Sequence, residues 1–229
     1  MKKITLLILS ALAISACNFS VNGAGAGNGK QIICKGPVTE QVMPLTGFDA
    51  IEVNGAANIK LFQGDECGVR VVAYEEVFEH LDYHVDGTSL VLETINHVIL
   101  QAKKYDVYIT LPLLTDFEVS GAVDIELGSG YRADEPLKVI IDGAGDMEFV
   151  GVAVPSLSIE LNGAGDIDLE GLETENLTIE VNGAGDVDVS GRATDASFSV
   201  NGAGVIDARQ LDCSNVRKQK SGIASIRTK

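Results

Sequence analysis

The chain has 229 residues, a formal net charge of −16 at pH 7, 25 glycines and no tryptophan. A body this acidic repels nucleic-acid phosphates and anionic lipid head groups, which argues against both as direct partners of its surface. Abundant glycine with few aromatic residues points to tight turns between short elements rather than to a large mixed core.

Lys2 and Lys3 lead into an apolar stretch from Ile4 to Ile14, closed by Ser15, Ala16 and Cys17. This is the layout of a secretory signal, and its apolar run is too short to span a bilayer. Small residues directly before a cysteine resemble a bacterial lipobox, which implies cleavage before Cys17 and acylation of its thiol and amine. Residues 1–16 are therefore expected to be a signal peptide. Losing Lys2 and Lys3 with it takes the formal charge from −16 to −18, because the segment carries no acid. Residues 17–30, rich in Gly, Asn and Ala, suit a flexible tether, and residues 31–229 form a single domain. Gly23 to Lys30 does not make a phosphate loop: Ala24 stands where the first glycine is required, and Gln31 replaces the Ser or Thr.

Of the four cysteines, Cys17 takes lipid, and Cys34, Cys67 and Cys213 remain in an oxidising compartment. Cys34 and Cys67 both lie in the irregular N-terminal part and are the expected disulfide. None of the cysteines has metal-ligand spacing. Next come two weak copies of one pattern, Ile51-Glu-Val-Asn-Gly-Ala-Ala-Asn-Ile-Lys-Leu61 and Phe117-Glu-Val-Ser-Gly-Ala-Val-Asp-Ile-Glu-Leu127. Between them lie strand-like runs at 69–74, 88–94 and 105–111 and a helical turn at Glu75–Leu81, read as larger, irregular coils. His80 and His84 have the spacing of a helical metal pair without its glutamate, so they are expected in surface or packing roles.

The strong copies begin at Asp142, Asn162, Asn182, Asn201 and Ser221, at intervals of 20, 20, 19 and 20 residues. Around each Gly-Ala-Gly turn, apolar residues alternate with polar ones: Leu157, Ile159 and Leu161 before it, Ile167 and Leu169 after it. Alternation at period two marks two half-buried strands. The same columns hold Val139, Ile141, Met147 and Phe149 one repeat earlier and Ile179, Val181, Val187 and Val189 one repeat later, so like stacks on like. Hairpins would pair strands within a repeat and give no reason for residues a repeat apart to match. The expected fold is all-β, a right-handed parallel β-helix with coils of about 20 residues and larger irregular coils at its N-terminal end. The turn alanines (Ala56, Ala122, Ala144, Ala164, Ala184, Ala203) are expected to point inward at the corner. Lys218 and Lys220 fall at the positions of Phe198 and Val200, so the last coil reads as a polar cap.

The register also stacks carboxylates. Asp124, Asp146, Asp166 and Asp186 form one outward column, and Glu126, Glu148, Asp168, Asp188 and Asp207 form a second. Neighbours about 4.8 Å apart repel by roughly 1 kcal/mol in water, which solvation tolerates. Two readings stay open for the first column: a solvated face, which is expected, or a ladder that shares calcium with adjacent Asn oxygens. No cofactor is expected.

A lipoprotein signal, then Gly47-Phe-Asp-Ala-Ile-Glu-Val-Asn-Gly55 with a Gln63-Gly-Asp65 turn, then iterated NGAGD coils, resembles the auto-transporter adhesin, head GIN domain family over about residues 38–224. The resemblance implies a β-helical fold and an adhesin-like role, and it brings no catalytic residues. The expected function is that of a non-catalytic lipoprotein of the bacterial cell envelope, anchored at the outer membrane, with a glycan or an envelope protein as partner. The alternative is a polysaccharide-acting lyase or hydrolase, since β-helices host such chemistry. Coils spaced so evenly leave no long insertion to wall a cleft, and carboxylates in every coil make a ladder, not a pair set apart by environment. All five tyrosines (Tyr74, Tyr83, Tyr105, Tyr108, Tyr131) lie in the irregular half, which makes it the expected binding surface.

Overall fold

The computed structural model describes residues 30–229, so the signal segment, Cys17 and most of the tether lie outside the described residues. In chain order, β1 (Gln31–Ile33), β2 (Val38–Met43), β3 (Ala50–Gln63) and β4 (Gly68–Tyr74) lead to the one-turn helix α1 (Glu75–Phe78). Then follow β5 (Leu81–Asp86), β6 (Ser89–Thr94), β7 (Ile99–Gln101), β8 (Tyr105–Leu111) and β9 (Asp116–Leu127). The repeats supply β10 (Leu137–Ala144), β11 (Met147–Val150), β12 (Ala153–Ala164), β13 (Ile167–Val181) and β14 (Ala184–Thr228). β14 is one extended run of 45 residues. Straight, it would reach about 150 Å; instead it bends at glycines with positive φ, Gly191, Gly202, Gly204 and Gly222.

The molecule is all-β, with the expected strand runs and the short helical turn in place. Most strands join one large sheet, in which residues a repeat apart pair in parallel. Phe117 pairs with Val139, Val139 with Ile159, Ile159 with Ile179, and Ile179 with Phe198. Past the corner the same holds for Phe149, Leu169 and Val189. The alternation read from the sequence decides which side chains meet: Ile159, Ile179 and Phe198 are buried, while Glu160 and Glu180 between them are not. The buried columns merge into one apolar core from Cys34 to Leu211. Each fully buried Ile or Leu contributes about 1.5–3 kcal/mol.

The corners differ from expectation. Ala56, Ala164, Ala184 and Ala203 are exposed, and Ala122 and Ala144 are half-buried. It is the flanking glycines that the stack demands. A Cβ built on Gly163 would sit 1.8 Å from the Gly143 carbonyl oxygen, and one on Gly183 would sit 1.9 Å from that of Gly163. Neighbouring repeats approach so closely here that no side chain fits between their backbones, and alternation then directs Ala164, Ala184 and Ala203 outward.

The N-terminal region is also not a run of coils in chain order. β3 lies between β8 on one side and β9 on the other, pairing in parallel with both. Between β3 and β8 the chain doubles back: β4 runs antiparallel to β2 and β8, and β5 makes an antiparallel hairpin with β6. β6 returns in parallel beside the first half of β3. At the other end Lys218 and Lys220 are exposed, as a polar cap requires.

Candidate functional site

The first acidic column is part of the scaffold. The backbone N–H of Asp166 donates to Asp146 Oδ1 at 3.0 Å, that of Asp186 to Asp166 Oδ1 at 3.0 Å, and that of Val205 to Asp186 Oδ1 at 3.0 Å. Asp124 Oδ1 lies 3.5 Å from the Asp146 amide in the same way. Each carboxylate thus accepts a corner amide of the next repeat, a charge-assisted bond. Burial raises the pKa of Asp124 and the charges of Asp146 and Glu126 add to it, while the Asp146 amide works in the other direction. Beside this column the Asn182 amide donates to Asn162 Oδ1 at 3.0 Å and the Asn162 amide to Asp142 Oδ1 at 2.8 Å. The second acidic column is not uniformly solvated. Glu148, Asp168 and Asp188 are exposed, but Glu126 pairs with Lys60 and Asp207 with Arg209. The Arg209 guanidinium holds the Asp207 carboxyl down at about 2.

The five tyrosines do not share a surface. Tyr131 is only 1% exposed, its hydroxyl donating to the Leu114 carbonyl and accepting from the Leu114 amide. The hydroxyls of Tyr83 and the buried Tyr105 bond to each other, and burial pushes both phenols up. Tyr74 is half-buried at the end of β4. Hydroxyls with internal partners let the rings of Tyr131, Tyr83 and Tyr105 pack inward. The expected Cys34–Cys67 disulfide is not formed, and both thiols are free, as is that of Cys213. The Cys34 thiol is buried near the Ile32 carbonyl, whereas the Cys67 thiol donates to the Phe48 carbonyl at 3.3 Å, so each sulfur faces its own backbone acceptor.

Tyr108 alone contributes to an outward aromatic group. Its ring stacks on Phe62 with centroids 6.5 Å apart and planes 8° from parallel, and the Arg70 guanidinium lies over the Tyr108 ring, 3.8 Å from its centroid. Cross-strand register builds this cluster: Arg70 on β4 is opposite Tyr108 on β8, and Tyr108 is opposite Lys60 on β3. Arg70 is braced by Glu40 of β2 at 3.0 Å. Phe62 is 42% exposed and forms one wall of an open groove of about 630 Å³, lined also by Asp65, Pro112, Ser129 and Gly130. Gln63 holds the floor, its amide donating to the Pro112 and Arg132 carbonyls and accepting from the Arg132 amide. Stacked rings beside a cation and a groove with free hydroxyl and carboxylate groups can take a ligand with an apolar face and a polar rim. Phe62, Arg70 and Gln63 were missed in the sequence, although Phe62 and Arg70 stand at outward positions of their alternations, in Ile59-Lys-Leu-Phe62 and Val69-Arg-Val71.

Residues 47–229 match the family model described as "Putative auto-transporter adhesin, head GIN domain". The chain belongs to this family. No curated protein matches it. Among solved structures, it is similar to a "putative lipid binding protein" from Parabacteroides distasonis, with a TM-score of 0.75 and 20% identity over 87% of this chain and 100% of that one. It is also similar to a "putative adhesin" from Bacteroides fragilis, with a TM-score of 0.71 and 18% identity over 86% of this chain and 100% of that one. At these identities the likeness is one of fold. The family match begins at Gly47, where the Gly-Phe48-Asp motif of the resemblance begins. Among the described residues, no helix is long and apolar enough to cross a membrane.

Proposed function

We propose that this head GIN protein is a non-catalytic, adhesin-like binding module of the bacterial cell envelope, wound as a right-handed parallel β-helix and anchored by lipid on Cys17. The observation that carries the non-catalytic reading is the use of the carboxylate ladder: Asp146, Asp166 and Asp186 accept backbone amides of the next coil. A pair for sugar chemistry needs two carboxyls set apart by environment, whereas these carry the same scaffold bond through Oδ1 in every repeat, which favours a shared structural role. The winding is supported by parallel pairing of each repeat with the next and by the right-handed preference of crossovers between parallel strands.

The binding face is the Phe62–Tyr108–Arg70 cluster with its groove, and the ligand class it fits is a glycan. An aromatic face packs against the C–H face of a sugar ring, while Asp65 and Ser129 offer hydrogen-bonding groups beside it. Binding of the purified full chain to a glycan array tests this. Phe62→Ala is expected to weaken the best binder at least tenfold, and Glu180→Gln on the regular face is expected to leave it unchanged. Unaltered binding by Phe62→Ala would remove the site, and release of cleaved sugar would favour the lyase or hydrolase alternative. For the anchor, Cys17→Ala is expected to leave the membrane fraction.

A further inference from the structure

The β5–β6 hairpin carries a cluster that the glycan-binding reading does not use. Its antiparallel register places Asp82 directly opposite Glu93 and His84 opposite Val91. Asp82 and His84 are two residues apart on one strand, so their side chains share its exposed face. One ligand atom each from Asp82, His84 and Glu93 lie within 4.8 Å of one another, and His84 Nδ1 is 3.5 Å from Asp82 Oδ1. Like charges set opposite each other on a sheet repel. Among the described residues no lysine or arginine pairs with Asp82 or Glu93 to relieve them. The only basic group in the cluster is the imidazole, which is itself a metal ligand. His80 takes no part through the helical spacing read in the sequence, because it lies on the turn after α1, its N–H bonded to the Val77 carbonyl.

We propose that this hairpin is a zinc site, with His84 supplying a ring nitrogen and Asp82 and Glu93 one carboxylate oxygen each. Zinc takes four nitrogen, oxygen or sulfur ligands, so three from the protein leave one position for water or for a side chain of a partner. Calcium, which takes six to eight oxygens, is poorly served by this set, and an imidazole selects against calcium and magnesium. The frame is firm: β5 pairs with β6 along its whole length, and Ser89–Leu92 of β6 pairs in turn with Ala50–Val53 of β3. Buried Val91 provides an apolar neighbour on the same face of the hairpin. A bound ion clamps β5, which pairs with β6 alone, to the body of the stack.

Calorimetric titration of the purified full chain with zinc chloride, repeated with calcium chloride, tests the site. One zinc ion per chain is expected, with calcium binding at least a hundredfold weaker. His84→Ala and Asp82→Asn, both at exposed positions, are each expected to weaken zinc at least tenfold. His80→Ala and Cys213→Ser are expected to leave zinc affinity unchanged. The proposal is overturned by no saturable zinc binding, by equal affinity for calcium, or by full zinc affinity in His84→Ala. Loss of the site in Cys213→Ser instead would assign zinc to the thiol and equally overturn it.

Discussion

Between Asp116 and Val200 the outward side chains repeat, and those at the corners are turned on their own neighbours, Asn162 to Asp142, Asn182 to Asn162, and Asp146 and Asp166 each to an amide of the next repeat. Between Gln31 and Leu111 the outward side chains do not repeat: Arg70, Tyr108 and Lys60 lie in one row, and Asp82 faces Glu93 in another. A ladder of similar repeats engages much of its corner polar surface internally and offers a ligand the same groups again and again. The irregular half, with its antiparallel pairs β2–β4, β4–β8 and β5–β6, brings unlike side chains together. The side chains that build the candidate sites come mainly from the irregular half, with Ser129 and Gly130 completing the groove from beyond β9.

This contrast can be broken by substitutions that distinguish stack from surface. The largest effect is expected for Ile179→Asp, which buries an unpaired charge where the side chain is 0% exposed; a loss of more than about 4 kcal/mol is expected in urea unfolding. Glu180→Gln, one position on, is expected to stay within about 0.5 kcal/mol, and equal losses would reject the register. Gly163→Ala comes next. Its methyl would meet the Gly143 carbonyl oxygen, at a cost of about 3 kcal/mol, whereas Ala164→Ser at the exposed corner is expected to be close to neutral. If the two behave alike, coil contact is not what requires glycine.

Smaller effects sharpen the role of the acids. Asp166→Ala removes the acceptor of the Asp186 amide and is expected to cost about 1–2 kcal/mol, while Asp166→Asn retains an acceptor oxygen and costs less. Millimolar calcium at matched ionic strength is expected to leave the melting temperature of the wild type where salt alone puts it; a calcium increment lost in Asp166→Asn would instead assign a calcium site to the ladder. The smallest effect concerns Asp207, whose carboxyl is held at about 2 by Arg209. A carboxyl depressed in the folded state adds stability above its unfolded value near 3.9, lost as pH falls from about 4 through 2. Asp207→Asn is therefore expected to flatten the melting temperature slightly over that window and to leave it unchanged in slope above pH 5.

What the sequence determined by itself is whatever repeats. The recurrence of Ile159, Ile179 and Phe198 at intervals of 20 and 19 residues sufficed to pair them, and the runs at 69–74 and 105–111 sufficed to place β4 and β8. A contact made once per coil leaves a period in the chain that any reader can measure. Contacts made once in the molecule leave none. That β3 sits between β8 and β9, that Tyr131 turns inward to Leu114, that Arg70 meets Tyr108 and His84 meets Asp82 and Glu93 were decided by the tertiary register of the irregular strands. Even the repeated corner was half hidden: the need for glycine was legible, but that the alanine faces solvent became clear only with the neighbouring coil's carbonyl less than 2 Å from where a Cβ would stand. Periodicity reports which residues stack; the direction of each side chain at a bend depends on the backbone packed against it.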